Sequence, residues 1–396
     1  MAIDRRQFIV RTACAAAGVA VAGGVIEMLT RRSSPGGAFS APVPAPAIPA
    51  GHEAMFWAKG EAQAVGCELC PHKCSIADGA RGTCGVRENT GGALRTLVYE
   101  RACTCNIDPI EKKPFFHYLP GTTAVSIATA GCNFTCKFCQ NWAISQSRPE
   151  KIPHDPLACD ALAKLAADRG APTVAFTYNE PVIYYEYVHD AAKAARARGV
   201  GAVVVSNGSI AEKPMRKWCE QLTAIKVDLK GFTDKYYREI CGGDLQPVLD
   251  ALKVAHSTGI HLEIVVLLVP GLNDDAEETK RMCGWIVKAL GPDVPVHFSR
   301  FHPTYKLANL PMTPVKTVEG ARDAAVKEGV RYAYVGNLGD HPYGHTYCHA
   351  CKTRLIERLG FNVREVLIKD GKCPKCAASI PGIWSQKDAL AFRPKA

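Results

Sequence analysis

The stretch Gly131-Cys-Asn-Phe-Thr-Cys-Lys-Phe-Cys-Gln-Asn-Trp142 places three cysteines, Cys132, Cys136 and Cys139, within eight residues. It follows Ala124-Val-Ser-Ile-Ala-Thr-Ala130, an apolar run typical of a buried strand. Three thiolates can hold three irons of a [4Fe–4S] cube and leave the fourth iron open. A structural zinc ion takes four protein ligands, so this loop alone is one ligand short for zinc. The spacing Cx3Cx2C therefore favours an iron–sulfur cluster with an open position.

Apolar strand-like runs alternate with amphipathic helical stretches from Ala124 onward. Repeated βα units indicate a parallel sheet. The predicted strands are Val125–Ala130, Thr173–Tyr178, Ala202–Ser206, Ala224–Leu229, Leu262–Val269, Val294–Phe298 and a seventh at Tyr332–Val335. The predicted helices are Pro156–Arg169, Val188–Arg198, Pro214–Gln221, Gln246–Ser257, Asp275–Leu290 and Val318–Glu328. We predict an α/β fold, a partial TIM barrel of about six βα units, with the cysteine loop at the carboxyl ends of the strands.

The chain divides into four predicted parts. Residues 1–50 are a twin-arginine-type signal and a Pro/Ala linker, and residues 51–120 are a cysteine-rich segment. Residues 121–340 form the partial barrel, and residues 341–396 form a zinc-ribbon-like segment and tail. Two small cysteine-rich, metal-binding segments are therefore expected to flank the barrel.

The amino terminus, Asp4-Arg-Arg-Gln-Phe-Ile-Val10, resembles a twin-arginine export signal. The apolar stretch that follows is short for a membrane span and suits the core of a signal peptide. Export or membrane anchoring by this segment is one hypothesis, and a basic arm that stays in the cytoplasm is the alternative. The localisation stays open at this point, because a low-potential reductant for an iron–sulfur cluster is expected in the cytoplasm.

The positive charge of the chain does not indicate nucleic acid. The formal net charge is +10, but residues 1–50 supply +3 of it, from five arginines against Asp4 and Glu27. Cysteines that bind metal are thiolates, which lowers the real charge further. Basic runs with interleaved aromatic residues are absent from the sequence, so we predict no nucleic-acid partner.

The loop Cys132–Trp142 resembles the radical S-adenosylmethionine (SAM) enzymes of the pyruvate formate-lyase-activating type, and most closely the radical SAM enzyme of the AmmeMemoRadiSam system. The stretches that carry this resemblance are Asn106–Phe115, Phe176–Pro181, Val227–Gly231, Val269–Asp274 and Ser299–Pro303. The resemblance covers roughly residues 60–382. It implies a [4Fe–4S] cluster, SAM, a low-potential electron donor of the flavodoxin or ferredoxin type, and Memo-like and AMMECR-like partners. The twin-arginine start departs from the typical member of the family.

The resemblance also suggests roles for residues near the strand ends. Cys132, Cys136 and Cys139 are the catalytic cluster ligands, and Glu180 is the acceptor for the SAM amino group. The other predicted cofactor-binding residues are Phe138, Asn207, Asp228, Lys230 and His297. Each of these cofactor-binding residues except Phe138 has a plain structural alternative: a helix amino-terminal carboxylate for Glu180, a turn for Asn207, an ion pair for Asp228 and Lys230, and a core histidine for His297.

Two further cysteine sets indicate metal sites outside the barrel. Cys348-x2-Cys351 and Cys373-x2-Cys376 have the spacing of a zinc ribbon, and zinc is expected there. Cys67, Cys70, Cys74 and Cys84 also form a metal signal, with zinc and an auxiliary [4Fe–4S] cluster both open as its occupant. Cys103 and Cys105 are either additional ligands or packing residues.

The predicted function is reductive cleavage of SAM to a 5′-deoxyadenosyl radical, which abstracts hydrogen from an unknown substrate. One alternative within this class is an activase of a glycyl-radical enzyme. The alternative of another class is a non-catalytic iron–sulfur or zinc protein that transfers electrons.

Overall fold

The structure is a computed structural model that describes residues 51–395, so the predicted signal and linker of residues 1–50 lie outside the described residues. Its main sheet has eight strands. They are β1 Thr104–Pro109, β2 Thr123–Ala128, β3 Thr173–Phe176, β4 Gly201–Ser206, β5 Ala224–Asp228, β6 His261–Leu268, β7 Val296–Arg300 and β8 Ala333–Gly336.

The strands follow one another in chain order across the sheet, with β1 and β8 at its two edges. Strands β2 to β8 pair in parallel, and β1 pairs antiparallel with β2. The predicted α/β fold, a partial barrel of parallel strands flanked by cysteine-rich segments, is confirmed. All seven predicted strands are present, shifted by one or two residues.

Two predicted strands end two residues earlier in the structure than the apolar runs suggest. Strand β2 ends at Ala128 and β3 at Phe176, whereas the runs continue to Ala130 and Tyr178. Just beyond these ends, Gly131 and Tyr178 adopt positive φ angles of 96° and 70°. Left-handed backbone cannot continue a strand, so the chain turns out of the sheet at both positions.

Six helices cover the outside of the parallel strands. They are α1 Cys159–Asp168, α2 Tyr185–Ala197, α3 Glu212–Cys219, α4 Leu245–Ser257, α5 Ala276–Leu290 and α6 Val315–Lys327. Each buries one apolar stripe; in α2 it includes Val188, Ala192 and Ala195, at the spacing of one helix face. No helix within residues 51–395 combines the length and apolarity that a membrane span requires.

The antiparallel edge strand β1 was not predicted from the sequence. Its residues, Thr-Cys-Asn-Ile-Asp-Pro, include Asp and Pro, which are depleted in strands. An edge strand tolerates them because one side of its backbone lacks a sheet partner. Strand β1 belongs to the predicted 51–120 segment by sequence and to the barrel sheet by pairing.

The amino-terminal cysteine-rich segment consists of small antiparallel sheets. One joins Trp57–Lys59, Val65–Cys67 and Ser75–Ile76, and another joins His52–Glu53, Ala93–Thr96 and Arg87–Thr90. The segment packs against helix α2, where the Arg87 guanidinium pairs with Glu186 at 2.9 Å and both side chains are buried. This ion pair fixes the segment to the barrel.

The carboxyl-terminal segment is a three-stranded antiparallel ribbon of Thr346–Tyr347, Arg354–Leu359 and Asn362–Val366. Arg358 Nη2 donates to the Phe116 carbonyl oxygen at 2.7 Å. The His117 ring bonds to the Pro381 carbonyl oxygen at 2.6 Å, and the Ile383 N–H donates to the His117 carbonyl oxygen at 2.7 Å. The ribbon and its tail therefore pack against the chain just before β2.

Candidate active site

A cavity of about 460 Å³ lies at the carboxyl ends of the parallel strands. Catalytic sites of α/β barrels form at this end, and the volume is in the range of small-molecule sites. The predicted residues in its lining are Cys132, Cys136, Cys139, Phe138, Glu180, Asn207, Asp228 and Lys230. The structure thus brings every predicted residue of this site together except His297.

The cysteine loop is fixed by backbone contacts on both sides. The Gly131 N–H donates to the Ile144 carbonyl oxygen at 2.9 Å. The Thr135 N–H donates to the Cys241 carbonyl oxygen at 2.8 Å, and the Lys137 N–H donates to the Ile240 carbonyl oxygen at 2.9 Å. These bonds hold the backbone between the first and last cysteine of the trio.

The three thiols suit a cluster better than a single metal ion. Among residues 51–395, three or more candidate ligand atoms lie within 4.8 Å of one another only at Cys348, Cys351, Cys373 and Cys376. At least two sulfurs of the trio therefore lie more than 4.8 Å apart, farther than the sulfurs around one zinc ion, which lie about 3.8 Å apart for a Zn–S bond of about 2.3 Å. A cube binds each thiolate to a different iron and needs this wider spacing. Burial raises the pKa of Cys132 well above its ordinary value, so binding a metal there releases a proton.

Glu180 is a buried carboxylate with three hydrogen-bond donors. It accepts from the Val182 N–H at 3.0 Å, from Ser206 Oγ at 2.7 Å and from the Asn207 N–H at 2.7 Å. Burial raises the pKa of Glu180 to about 7, against the effect of these three bonds. The bond to Val182 caps the short helix Pro181–Tyr184, so the structural alternative for Glu180 is present together with its place in the cavity.

Asn207 connects Glu180 with the cysteine loop. Its Nδ2 donates to Asn133 Oδ1 at 2.8 Å, and its Oδ1 accepts from the Ser209 N–H at 2.8 Å. Asn133 in turn donates to the Ser209 carbonyl oxygen at 2.9 Å. This network fixes the residue that follows Cys132.

Strand β5 and the residues after it present three charged side chains to the cavity. Asp228 pairs with Lys226 and with Lys230, the latter at 3.3 Å. Lys230 Nζ also lies 5.7 Å from the centre of the Phe138 ring. Burial would raise the pKa of Asp228, but the two lysines hold it below its ordinary value. Sequence reasoning missed Lys226, although the same period of two that groups Asp228 with Lys230 includes it.

A second charged group in the cavity wall was also missed. Lys113 Nζ pairs with Asp108 at 2.6 Å, and the Tyr178 hydroxyl donates to the same carboxylate. Asn141 Nδ2 donates to the Tyr178 carbonyl oxygen at 2.7 Å, next to the positive φ of that residue. Asp108, Lys113 and Tyr178 lie in stretches that carry the family resemblance, which was the available signal.

His297 does not line the cavity. Its Nε2 bonds to Glu263 Oε2 at 2.6 Å, and the side chain is buried on the same face of β7 as Ser299, two residues deeper. Glu263 also accepts from the His117 N–H at 2.8 Å and bonds to the His261 ring at 2.9 Å. Burial would raise the pKa of Glu263, but the bonds from the two histidines hold it well below its ordinary value. The structure thus gives His297 the contacts of its structural alternative.

The four ribbon cysteines form a compact group. Their sulfurs lie within 4.8 Å of one another, with 3.6 Å between Cys348 and Cys376 and 3.7 Å between Cys351 and Cys373. These distances are close to the spacing of about 3.8 Å around one tetrahedral metal ion. The group can therefore bind a single metal ion.

The amino-terminal cysteines also meet around one space. Cys67, Cys70, Cys74 and Cys84 line a second, smaller cavity, and Cys103 and Cys105 are not in its lining. Of the two roles left open for Cys103 and Cys105, the structure favours packing.

Comparison with known proteins gives the class first. Residues 126–283 match the model of the Radical SAM superfamily, so this part of the chain is a radical SAM domain. Such a domain implies an enzyme that uses SAM and a [4Fe–4S] cluster.

One relative is similar to this chain over most of its length. The chain is 40% identical over 330 residues to the uncharacterized protein MJ0808 of Methanocaldococcus jannaschii, covering 83% of this chain and 98% of that protein. A GTP 3′,8-cyclase of Staphylococcus haemolyticus is 25% identical over 155 residues, which are 37% of this chain and 46% of that enzyme.

The solved structures that match the chain are more distant in sequence. A domain of the pyruvate-formate lyase-activating enzyme from Bacteroides vulgatus has a TM-score of 0.38 and 15% identity, covering 41% of this chain and 98% of that one. Streptococcus suis SuiB bound to S-adenosylmethionine has a TM-score of 0.44 and 10% identity, covering 61% of this chain and 56% of that one.

Proposed function

We propose that Cys132, Cys136 and Cys139 hold a [4Fe–4S] cluster and that the adjoining cavity binds SAM for reductive cleavage. The observation that carries this proposal is the convergence of three widely spaced thiols on one polar cavity. The chemistry that a bound cluster supplies is one-electron cleavage of a SAM sulfur–carbon bond, giving methionine and a 5′-deoxyadenosyl radical that abstracts hydrogen from the substrate.

The residues of the chain bind and orient SAM in this proposal. A carboxylate has about four acceptor positions, and Glu180 uses three of them within the protein. The fourth accepts from the SAM amino group. Lys230 meets the SAM carboxylate, since the Lys226–Asp228–Lys230 group carries one net positive charge. Phe138 and its neighbours exclude water from the reacting atoms.

The experiment is anaerobic reconstitution with iron and sulfide, followed by SAM and dithionite. We expect 5′-deoxyadenosine and methionine in equal amounts. A chain that carries its full complement of cluster and forms no 5′-deoxyadenosine above a Cys136→Ala control would contradict the proposal. That result would favour the non-catalytic electron-transfer alternative.

We also propose a more specific assignment, which concerns the partners of this enzyme. The five family-like stretches support assignment to the AmmeMemoRadiSam system, with Memo-like and AMMECR-like partners and a flavodoxin- or ferredoxin-type electron donor. Copurification of the tagged chain with coexpressed Memo-like and AMMECR-like proteins tests this assignment. The activase alternative would be favoured instead if adding a glycyl-radical enzyme increased 5′-deoxyadenosine formation and produced a glycyl radical in the added enzyme.

The ribbon cysteines are proposed to hold zinc. The compact spacing of their sulfurs supports a single ion, and four thiolates complete its shell without an open position. Metal analysis of the purified chain tests this assignment.

A further inference from the structure

The amino-terminal cysteines are brought together by a small hairpin. Strands Val65–Cys67 and Ser75–Ile76 pair antiparallel, and the Cys67 N–H donates to the Cys74 carbonyl oxygen at 2.9 Å. Cys70 lies in the connecting turn, where the Lys73 N–H donates to its carbonyl oxygen at 3.1 Å. Cys84 approaches from the next loop and lines the same cavity as the other three.

Backbone N–H groups point at several of these sulfurs. The Thr83 N–H lies 3.5 Å from Cys74 Sγ. The Val86 and Arg87 N–H groups act on Cys84, and the His72 N–H acts on Cys70, against the larger effect of burial, which raises the pKa of both thiols. N–H donors directed at sulfur stabilise thiolates, as they do at iron–sulfur sites. Backbone donors are therefore available to three of the four sulfurs if they bind a metal.

A buried arginine completes the wall of this cavity. Arg87 is 2% exposed and lines the cavity with the four cysteines. Its Nη1 donates to Glu186 at 2.9 Å and its Nη2 donates to Met55, but its buried Nε has no partner within the described residues. A buried donor without a partner lowers the stability of the fold. The unpaired Nε–H therefore indicates that an acceptor binds in this cavity.

The spacing of the sulfurs distinguishes a cluster from a single ion. The ribbon sulfurs lie within 4.8 Å of one another, whereas in the described residues no three of the sulfurs of Cys67, Cys70, Cys74 and Cys84 do. Four thiolates around one ion would lie about 3.8 Å apart. Four thiolates around a cube of four irons lie farther apart.

We propose that Cys67, Cys70, Cys74 and Cys84 hold a second, redox-active [4Fe–4S] cluster whose negative charge is met by Arg87. Four thiolates occupy all four irons, so this cluster has no position for SAM. It lies directly behind the catalytic loop, because His72 Nε2 bonds to the Asn133 carbonyl oxygen at 2.7 Å and Asn133 follows Cys132. The proposal is independent of SAM cleavage, since it concerns a different set of ligands.

Iron counting on the full chain tests the site. The first variant replaces Cys132, Cys136 and Cys139 with Ala, the second replaces Cys67 and Cys70 with Ala, and the third combines all five changes. After anaerobic reconstitution, we expect about eight irons per chain in the wild type, about four in each of the first two variants, and background iron in the third. The first variant should also give an electron paramagnetic resonance signal after reduction that added SAM leaves unchanged.

Two results would contradict the second cluster. A first variant with no more iron than the third, or with one additional zinc ion in place of iron, would overturn the cluster assignment. The metal content of the ribbon, measured in the same samples, reports that each variant has folded. The iron content of the first variant does not affect the test of SAM cleavage, because that reaction is measured in the wild type.

The role of Arg87 is tested by the reduction potential of the second cluster. The variant Arg87→Met with Glu186→Gln is compared with Glu186→Gln alone, in the chain that lacks the catalytic trio, so that the two chains differ only in the cation. We expect a more negative midpoint potential in the double variant, because a nearby cation stabilises the reduced cluster. Arg364→Met, on the exposed ribbon strand, is the control. An unchanged potential with a full cluster would refute the charge-compensating role.

Discussion

The ribbon of residues 341–396 and the loop Cys132–Trp142 use the same ligand in opposite ways. The four ribbon sulfurs lie within 4.8 Å of one another, at the spacing that suits one closed metal shell. The three loop sulfurs are more widely spaced and line a cavity of about 460 Å³ among charged side chains. A complete shell stabilises a fold, whereas an incomplete shell beside a polar cavity leaves a position for a reacting molecule.

The number of cysteines alone therefore does not distinguish a structural metal site from a catalytic one. What separates them here is the spacing of the sulfurs and the character of the adjoining surface. Next to the ribbon thiols lie apolar groups such as Ile356 and Leu355. Next to the loop thiols lie Glu180, Asp228 and Lys230.

Loss of a loop cysteine should have the largest effect. In Cys136→Ala, we expect 5′-deoxyadenosine formation to fall to the level without enzyme, because the cluster loses one of its three anchors. Product analysis by chromatography measures this loss, and the ribbon metal should stay bound. Cys219→Ala, a buried cysteine in α3 away from the cavity, should keep its activity. Equal losses in both variants would show that the effect does not depend on the position of Cys136 in the cluster loop.

Loss of the ribbon metal should damage stability more than chemistry. In the double variant Cys348→Ala and Cys351→Ala, we expect the free energy of unfolding to fall by several kcal/mol, because metal binding contributes directly to folding of such small segments. Chemical denaturation measures the loss. Rates of 5′-deoxyadenosine formation per folded molecule should stay within about twofold of Lys375→Ala, a surface control. Abolished activity in a folded double variant would contradict a purely structural ribbon.

Glu180→Gln should weaken SAM binding while it preserves the shape of the site. A hydrogen bond to a charged group contributes about 1.5–3 kcal/mol, so we expect the KM for SAM to rise by roughly tenfold to a hundredfold. The kcat should change much less, since this contact is present before the reaction. Steady-state kinetics at a fixed cluster content measure both constants. An unchanged KM would show that Glu180 serves only the helix Pro181–Tyr184.

The same substitution has a signature in the pH dependence of stability. Burial raises the pKa of Glu180 from 4.5 to about 7, so between these values the folded, metal-free chain binds more protons than the unfolded chain. Stability should therefore fall as the pH rises through this window. Glu111, whose pKa burial also raises to about 7, contributes in the same direction and remains in the variant. Denaturation from pH 4.5 to 7.5 should give a smaller slope for Glu180→Gln than for the wild type.

His297→Gln should have the smallest effect on catalysis. The amide can still donate to Glu263, so we expect the KM for SAM to stay within about twofold of the wild type. His256→Gln, at the end of α4, is the matched control. A KM increase of about tenfold would instead support the SAM contact that the family resemblance suggests for His297.

Much of the barrel was predictable because strands and loops carry local signals. Apolar runs of β-branched residues located seven strands, and the period of two placed Asp228 and Lys230 on one face. The position of the cysteine loop then followed from the rule that active sites lie at the carboxyl ends of strands. These inferences need only neighbouring residues.

What the sequence did not predict depends on contacts between distant residues. Strand β1 is stabilised by pairing with β2 rather than by its own composition. The partner of His297 is Glu263, on another strand, and the sequence alone does not show how deep the histidine lies in the barrel. Asp108, Lys113 and Tyr178 meet only because the chain before β2 folds over the end of β3.

The contact between His117 and Pro381 has a consequence for biosynthesis. These residues are 264 positions apart, and Arg358 reaches back to Phe116 from the same terminal ribbon. During translation, the chain before β2 therefore cannot form these contacts until residues 358–381 have left the ribosome. Contacts of such long range form slowly, and the unpaired surfaces are exposed in the meantime. A nascent chain without the ribbon lacks these contacts.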